Sequence, residues 1–421
     1  MDWQMQGPPH LTPFDTVPRN TSLDALHFPF PTIRSSRILA DFPSEMLAEI
    51  FFHASSNADE DFDKWDVIIE KLGRDIQCIT VSHVCRRWRS IALENPLLWT
   101  WIYDKFYTER ALEMMRRAKS CPLTVVSRTV SINDAVLEAF PSHLFHLQHL
   151  ILELDYDTAK SLTSRLVHSA PVLETLRLEV EIGHSGVAYP DLPPNFLASV
   201  VPKLQILKLI GVLLPQTSAF YKNLTRFCFA FPEDHSYMYA ERCPHPNITI
   251  DILHEMPLLE VLELERALPP AGSLLHPHSR RVSFPRLRHI ILSGTPQECA
   301  DLVSCLDFPK ATQIRLFSIE LGEEDPVDPI ISMLQRCYHD LPVPIDELHI
   351  DLYNPDELTI EAKTRNSESS YIFSIELFVP EDPDSPLAEA ANIARRDVLD
   401  RGLRSGFRNH AASRGGHYQW W

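Results

Sequence analysis

The sequence predicts an α/β protein in which a small N-terminal helical domain precedes a solenoid with a curved parallel sheet. Apolar residues recur at helical spacing between residues 42 and 99, which predicts the helices. A six-residue apolar phrase then returns eight times between residues 147 and 350, which predicts the repeats. The chain has 12 Gly against 34 Pro, a balance that favours rigid turns over phosphate-cradling loops.

Length and charge restrict the function further. A chain of 421 residues accommodates two domains, or one domain and a repeat array. A net charge of −18 repels phosphate backbones, so we expect no nucleic-acid partner. The eight cysteines are scattered, and neither a signal peptide nor an apolar run long enough for a membrane span occurs. We therefore expect an intracellular protein, cytoplasmic and/or nuclear, with reduced thiols and no membrane partner.

The Pro-rich residues 1–35 and the tail at 380–421 are expected to be disordered. Between residues 36 and 105 a helical domain is expected. Pro43 suits a first helical turn, and Met46, Leu47, Ile50 and Phe51 then form one apolar stripe. An inserted loop is expected near 54–75, because its acidic centre breaks the pattern. Short helices of this kind bury little area by themselves, so an apolar face that takes a partner is expected.

Three separated stretches carry a resemblance to a known family. They are Phe42-Pro-Ser-Glu-Met-Leu-Ala-Glu-Ile-Phe51, Val84-Cys-Arg-Arg-Trp-Arg-Ser-Ile-Ala92 and Pro96-Leu-Leu-Trp99. In this order they resemble the F-box, and most of all the F-box-like proteins abundant in mushroom-forming fungi. Two departures stand out. Phe42 replaces the usual Leu, and Val84 follows Pro43 by 41 positions, so the inserted loop must leave the compact motif.

The resemblance implies docking onto the Skp-type adaptor, and through it onto a cullin, in an SCF-type ubiquitin ligase. The residues at the matching positions would make or support the adaptor-binding surface: Phe42, Pro43, Leu47, Ile50, Val84, Cys85, Trp88, Leu98 and Trp99. For each of them the alternative is a place in the core of the helical domain itself.

The repeated phrase is apolar, two variable, apolar, one variable, apolar. Its eight copies begin at Leu147, Leu173, Leu204, Leu224, Leu259, Leu287, Ala311 and Ile345, and five have Pro two residues earlier (Pro171, Pro202, Pro257, Pro285 and Pro309). The pattern resembles the irregular leucine-rich repeats that follow F-boxes. Each copy would be a short parallel strand, and the residues between copies would return as a helix or a loop. The array is expected to occupy residues 106–379.

Residues that alternate with the buried positions are expected to point into the concave face of the array. The candidates for target binding are Ile151, Arg177, Lys208, Arg226, Glu263, Ile291, Arg315, Phe317 and His349. Apolar side chains mixed with both signs of charge suit a protein ligand better than a uniform polyanion. The alternative is a solvated sheet face without a specific ligand.

Sequence patterns of catalytic or metal sites are missing from the chain. It has no Walker-type, GxGxxG, GxSxG or HExxH motif. His143, His146 and His149 enter a predicted strand, and Cys299 and Cys305 lack the second half of a zinc pattern. We expect no enzymatic activity, cofactor or metal. The expected function is the substrate-recognition subunit of an SCF ligase, with a leucine-rich-repeat scaffold acting outside a ligase as the alternative.

Overall fold

The computed structural model describes residues 42–55, 77–103, 108–127, 132–181, 189–214, 220–232, 246–274, 281–320, 328–338, 347–354, 357–363 and 371–378. The predictions of disorder at 1–35 and 380–421 lie outside these residues. Most of the predicted inserted loop at 54–75 lies outside them as well.

The described residues contain fourteen strands. They are β1 (Trp101–Tyr103), β2 (Leu123–Ser127), β3 (Leu147–Asp155), β4 (Thr175–Glu181), β5 (Ile206–Ile210), β6 (Arg226–Ala230), β7 (Val261–Glu265), β8 (Val282–Ser283), β9 (His289–Ser293), β10 (Leu306–Asp307), β11 (Gln313–Glu320), β12 (Glu347–Asn354), β13 (Glu357–Lys363) and β14 (Tyr371–Phe378). Twelve form one open sheet in the order β1-β2-β3-β4-β5-β6-β7-β9-β11-β14-β13-β12, of which the first ten are parallel, and β8 pairs with β10. The protein is therefore α/β with a large parallel sheet.

Nine α-helices are described: α1 (Ser44–Ser55), α2 (Gln77–Val84), α3 (Arg86–Glu94), α4 (Thr108–Ala118), α5 (Asp134–His143), α6 (Tyr156–Arg165), α7 (Pro246–His254), α8 (Pro296–Cys305) and α9 (Asp328–Tyr338). Short 3₁₀ turns occupy Pro96–Trp99, Leu144–His146 and Phe196–Ser199. The connections between neighbouring parallel strands therefore differ in secondary structure. Some contain an α-helix, whereas the described residues between β4 and β5 contain only a 3₁₀ turn.

The proline before a repeat has a structural reason. At the entry to β4, Leu173 N donates to Ala170 O at 3.2 Å, which places Pro171 at the second position of a tight turn. Pro suits that position because its fixed φ matches the turn. Hydrogen-bonded turns of the same kind precede β5, β6, β7 and β9, whereas before β11 Thr312 N donates to Pro309 O, so Pro309 takes the first position of its turn. From one repeat to the next the backbone is also joined, for example by Glu174 N donating to Gln148 O at 2.8 Å.

One hydrophobic core connects the N-terminal helices to the sheet. Its residues run from Leu47 on α1, through Trp99 and Met115, to the strand leucines and on to Ile375 on β14. The strand leucines alternate along each strand, as Leu150, Leu152 and Leu154 do on β3, and all three are fully buried. This face of the sheet packs on helices, and the alternating residues lie on the opposite face.

The eighth repeat corrects the sequence prediction. Residues 347–354 form a strand, as the phrase beginning at Ile345 predicts, but β12 pairs antiparallel with β13 instead of continuing the parallel series. The place beside β11 is taken by β14, which arrives from the C-terminal side and pairs in parallel. A local apolar phrase predicts a strand, but it holds no information on the direction in which the chain returns.

Candidate protein-binding surfaces

The N-terminal helices are held together by aromatic contacts. The rings of Trp88 on α3 and Phe51 on α1 lie with centroids 4.8 Å apart. The indole nitrogen of Trp99 donates to Ala92 O at 2.9 Å, so its polar group is satisfied inside the core. Cys85 precedes α3 and its sulfur accepts from Trp88 N at 3.5 Å, which makes it the N-cap of that helix. Much of the Val84–Trp99 motif therefore has a role in folding.

The nine residues predicted to bind an adaptor separate into three groups. Leu47, Leu98 and Trp99 are buried in the core. Phe42 and Trp88 are half-buried, and they pack against the same core. Pro43, Ile50, Val84 and Cys85 are exposed. The buried three can support a binding surface, but only the exposed and half-buried residues can contact a partner in this conformation.

Exposed apolar side chains concentrate on the N-terminal helices. Six large apolar residues are exposed in the described part of the chain, and four of them lie between residues 46 and 97: Met46 at 52%, Ile50 at 44%, Val84 at 57% and Leu97 at 44%. We call these four the helical apolar face; Met46 and Ile50 share one surface of α1, and Val84 and Leu97 are grouped with them because they are exposed on the same helical module. Met46 and Ile50 are one turn apart and line a shallow depression along α1 with Glu45, Glu49 and His53. Sequence reasoning placed Met46 in the apolar stripe, but it did not single out Met46 or Leu97 for binding.

The second candidate surface is the sheet face opposite the helices, here called the polar face. Strand pairing aligns the Cα atoms of seven of its residues in a single row: Ile151, Arg177, Lys208, Cys228, Glu263, Ile291 and Arg315. Six of the seven are among the predicted target-binding residues, and Cys228 is the addition. We call this line the central row.

The other three predicted residues lie around the central row. Arg226 lies two residues before Cys228 on β6, and Phe317 follows Arg315 by two residues on β11. The Cα atom of His349 aligns with Arg315 through Glu361 and Ser374, so this position continues the row across the antiparallel strands. The side chain of His349 lies outside the described residues.

Ion pairs cross the polar face. Arg177 donates to Glu179 on the same strand at 2.7 Å. Lys208 on β5 reaches over β6 to Glu263 on β7, with Nζ 3.4 Å from Oε1. At the other end of the row, Arg315 lies 3.2 Å from Glu376 on β14.

Glu263 and Glu265 form a coupled acidic pair on β7. Burial, a hydrogen bond with Glu263 and the charge of Glu263 raise the pKa of Glu265 from 4.5 to about 7. Burial also opposes ionisation of Glu263, but the charge of Lys208 and hydrogen bonds from Glu265 and Lys208 lower its pKa overall. Burial raises the pKa of the neighbouring Cys228 thiol well above its ordinary value. The pair therefore shares one proton near neutral pH, and Glu263 is the member that ionises first.

The histidines that the sequence places three apart have separate partners. His146 donates from Nδ1 to Cys121 O at 2.6 Å and accepts from His143 Nδ1 at 2.8 Å. His149 pairs instead with Thr175 Oγ1 at 3.1 Å, on the polar face. Both ring nitrogens of His146 are thus used in hydrogen bonds within the fold. Within the described ranges, no group of three His, Cys, Asp or Glu residues could hold a metal ion.

No protein-family model matches the chain, and no curated protein matches it. Across the described residues, no helix is both long and apolar enough to cross a membrane.

Proposed function

We propose that this chain is the substrate-recognition subunit of an SCF-type cullin ubiquitin ligase. Its F-box-like helices, α1 to α3 with the turn at Pro96–Trp99, dock onto a Skp-type adaptor. Its irregular leucine-rich-repeat solenoid holds a protein target on the concave side of the sheet, which is the polar face. The support from sequence is the ordered resemblance of residues 42–51, 84–92 and 96–99 to the F-box.

The observation that carries the proposal is the helical apolar face. Four of the six exposed large apolar side chains in the described residues lie on this small module. Removal of apolar surface from water is favourable by about 25 cal/mol per Å². A concentration of exposed apolar side chains therefore indicates a binding surface. Glu45 and Glu49 flank it on α1, and they give the face the polar rim that is typical of protein interfaces.

The shared core supports a mechanism by proximity. Trp99, Met114 and Met115 belong to the same apolar cluster as the first strands, and the guanidinium of Arg117 lies over the Trp99 ring at 4.8 Å. A target bound to the sheet is therefore held at a fixed distance from an adaptor bound to α1. Such positioning raises the effective concentration of target lysines near the ubiquitin-loaded enzyme. The covalent steps belong to other subunits of the ligase.

The test is recovery of the adaptor by variants of exposed residues, because Leu47 is buried and its truncation would disturb folding. The full chain and the variant Val84→Glu are used to capture a purified Skp-type adaptor. Val84→Glu places a charge in the proposed apolar interface, so we expect recovery to fall about tenfold or more. Val200→Glu is the matched control, since Val200 is 50% exposed and lies outside the helices.

Equal recovery by wild type, Val84→Glu and Val200→Glu would contradict adaptor docking through this face. Failure of the wild-type chain to recover the adaptor at all would reject the ligase assignment.

A scaffold acting outside a ligase is the second candidate. It is favoured by the length of chain between α1 and α2. More residues lie between Ser55 and Gln77 in the sequence than the compact F-box motif allows. In that case target binding by the polar face would not depend on an adaptor. Cross-linking in cells distinguishes the scaffold from the ligase subunit. If the chain is a scaffold outside a ligase, the variant Val84→Glu is cross-linked to the same set of proteins as wild type.

A further inference from the structure

We propose that the edge strand β12 pairs in antiparallel fashion with β12 of a second copy of this chain, so that two sheets join across a two-fold axis. This dimer goes beyond the proposed function and does not rest on it. Its evidence comes from the C-terminal strands alone, and neither an adaptor nor a target is needed to form it.

The sheet is open and therefore has two edges. Among the described strands, β1 and β12 each have a single neighbour. β1 has three residues, whereas β12 has eight and contains no proline. Every second residue of an edge strand directs its backbone N–H and C=O groups away from the sheet, and proteins usually keep such edges short. A long edge of this kind is a place where another strand can be added.

The two faces of β12 restrict how a strand can be added. The Cα atom of Ile350 aligns through Ile360 with Ile375, which is buried in the core. The preceding residue, His349, lies in line with the central row of the polar face. Even-numbered positions of β12 therefore belong to the face that packs on helices, and odd-numbered positions belong to the polar face. Residues directly opposite in an antiparallel pair share a face, so an added β12 must place even positions opposite even ones.

Within that restriction, one register makes β12 complementary to itself. With the two-fold axis at Ile350, apolar positions lie opposite apolar positions, and His349 lies opposite Asp351 on both sides of the axis. An axis at Asp351 would bring two copies of that carboxylate opposite each other, and an axis at His349 would place Glu347 opposite Asp351. Like charges directly opposite destabilise an antiparallel pair, and axes further from the middle shorten the overlap. The register centred on Ile350 is therefore favoured.

Charge complementarity supports a second copy as the occupant of this edge. Within the chain, Asp351 lies opposite Thr359 in the register of β12 and β13, and Thr359 carries no charge. On the open side, His349 of the second copy would lie opposite Asp351. A histidine can donate a hydrogen bond to a carboxylate and can also carry the opposite charge. Two-fold symmetry makes this contact twice.

The same symmetry limits the assembly to two copies. Each copy uses its β12 edge in the pair, and the three-residue β1 is the edge left at the far end of the sheet. Because β12 belongs to the large sheet, the polar face of one copy continues into the polar face of the other through His349 and Asp351. The dimer thus presents two copies of the central row on one continuous sheet.

The first experiment measures the mass of the full chain by light scattering over a series of concentrations, without adaptor. We expect the mass of two chains for wild type. His349→Asp places like charges opposite each other twice, so the dissociation constant of the dimer should rise about tenfold. H349D/D351H restores unlike pairs and should return the dissociation constant to that of wild type. His168→Asp makes the same charge change at an exposed position outside the sheet and should leave the dimer unchanged.

The second experiment tests the register by disulfide formation. Opposite Cα atoms of antiparallel strands lie about 4.5–5.5 Å apart, within the range that a disulfide spans. After mild oxidation, a mixture of the His349→Cys and Asp351→Cys chains should form a covalent dimer, and mass spectrometry should locate the bond between positions 349 and 351. Neither variant alone should form a bond through its new thiol. Oxidised wild type is the control, because the chain has eight cysteines of its own.

Three results would overturn the proposal. They are a wild-type chain that stays monomeric at every concentration, a dimer that His349→Asp does not weaken, and a mixture that forms no bond between positions 349 and 351. A monomer whose edge takes an extended segment of another protein falls under the first of these. Since no adaptor is present, such a failure leaves adaptor docking untouched, and failure of adaptor capture leaves the dimer untouched.

Discussion

Replacement of Glu265 by Gln should change how the stability of the protein depends on pH. The pKa of Glu265 is raised from 4.5 to about 7 by burial and by Glu263. Between these two values the folded state keeps the proton, whereas the unfolded state releases it. Glu265 therefore does not reduce the free energy of unfolding below pH 4.5. Its ionisation lowers that free energy progressively as the pH rises from 4.5 through 7.

The magnitude follows from the size of the shift. One pKa unit corresponds to about 1.4 kcal/mol, so an increase from 4.5 to about 7 makes the folded state about 3 kcal/mol less stable above pH 7 than it would be with a neutral group at this position. Gln resembles the protonated carboxyl in shape and cannot ionise. The stability of the variant relative to wild type should therefore rise by about 2–3 kcal/mol between pH 5 and pH 8.

The assay is urea unfolding of both proteins between pH 5 and pH 8, followed by tryptophan fluorescence. Glu263 does not interfere in this window because its pKa is lowered, so its own effect on stability falls below pH 4.5. Glu109→Gln provides the control, since this substitution removes one carboxylate from an exposed position of α4. If the difference between wild type and Glu265→Gln stays constant with pH, the reasoning about the acidic pair is refuted.

Three further predictions concern the core and the backbone. Leu47→Ala should lower the free energy of unfolding by about 2–5 kcal/mol, because Leu47 is fully buried; a loss below 1 kcal/mol in urea titration would contradict its place in the core. Trp99→Phe should lower it by about 1 kcal/mol through loss of the hydrogen bond to Ala92 O, and an unchanged unfolding midpoint would argue against that bond. Gly211→Ala should cost more than about 1 kcal/mol, since Gly211 has a φ of +67° and a Cβ would lie 2.6 Å from Val180 O; a melting temperature equal to that of wild type would show that the turn is built differently.

The strands were predictable because their signal is local. The second and third apolar residues of all eight phrases lie on strands, since apolar residues at alternate positions can be buried together only in an extended chain. The turns before them were signalled by Pro171, Pro202 and others that suit the second turn position.

The partners of β12 and β14 were not predictable in the same way. Their sequences resemble the other strands, and pairing direction depends on where the chain returns after α9 and after β13. Antiparallel β12 and β13 follow each other closely, with Asn354 aligned with Glu357. A short connection of this kind joins antiparallel strands, whereas a further parallel strand needs a longer crossover.

On α1, the sequence also did not predict which apolar residues are buried and which are exposed. Met46, Leu47, Ile50 and Phe51 form one stripe in the sequence, yet Leu47 and Phe51 are buried whereas Met46 and Ile50 are exposed. Both pairs are four residues apart, so helical spacing alone does not tell which pair faces the core. On the polar face the two-residue period of a strand is strict, and six of the nine predicted residues therefore share one row.

The central claim is adaptor docking by the helical apolar face, and reconstitution tests it most directly. The full chain is mixed with a purified Skp-type adaptor and the adaptor-binding part of a cullin, and the mass of the eluted complex is measured by light scattering. The account predicts one complex with equal numbers of the three proteins for wild type and for Val200→Glu, and none for Val84→Glu. Elution of the wild-type chain apart from the adaptor would contradict the account.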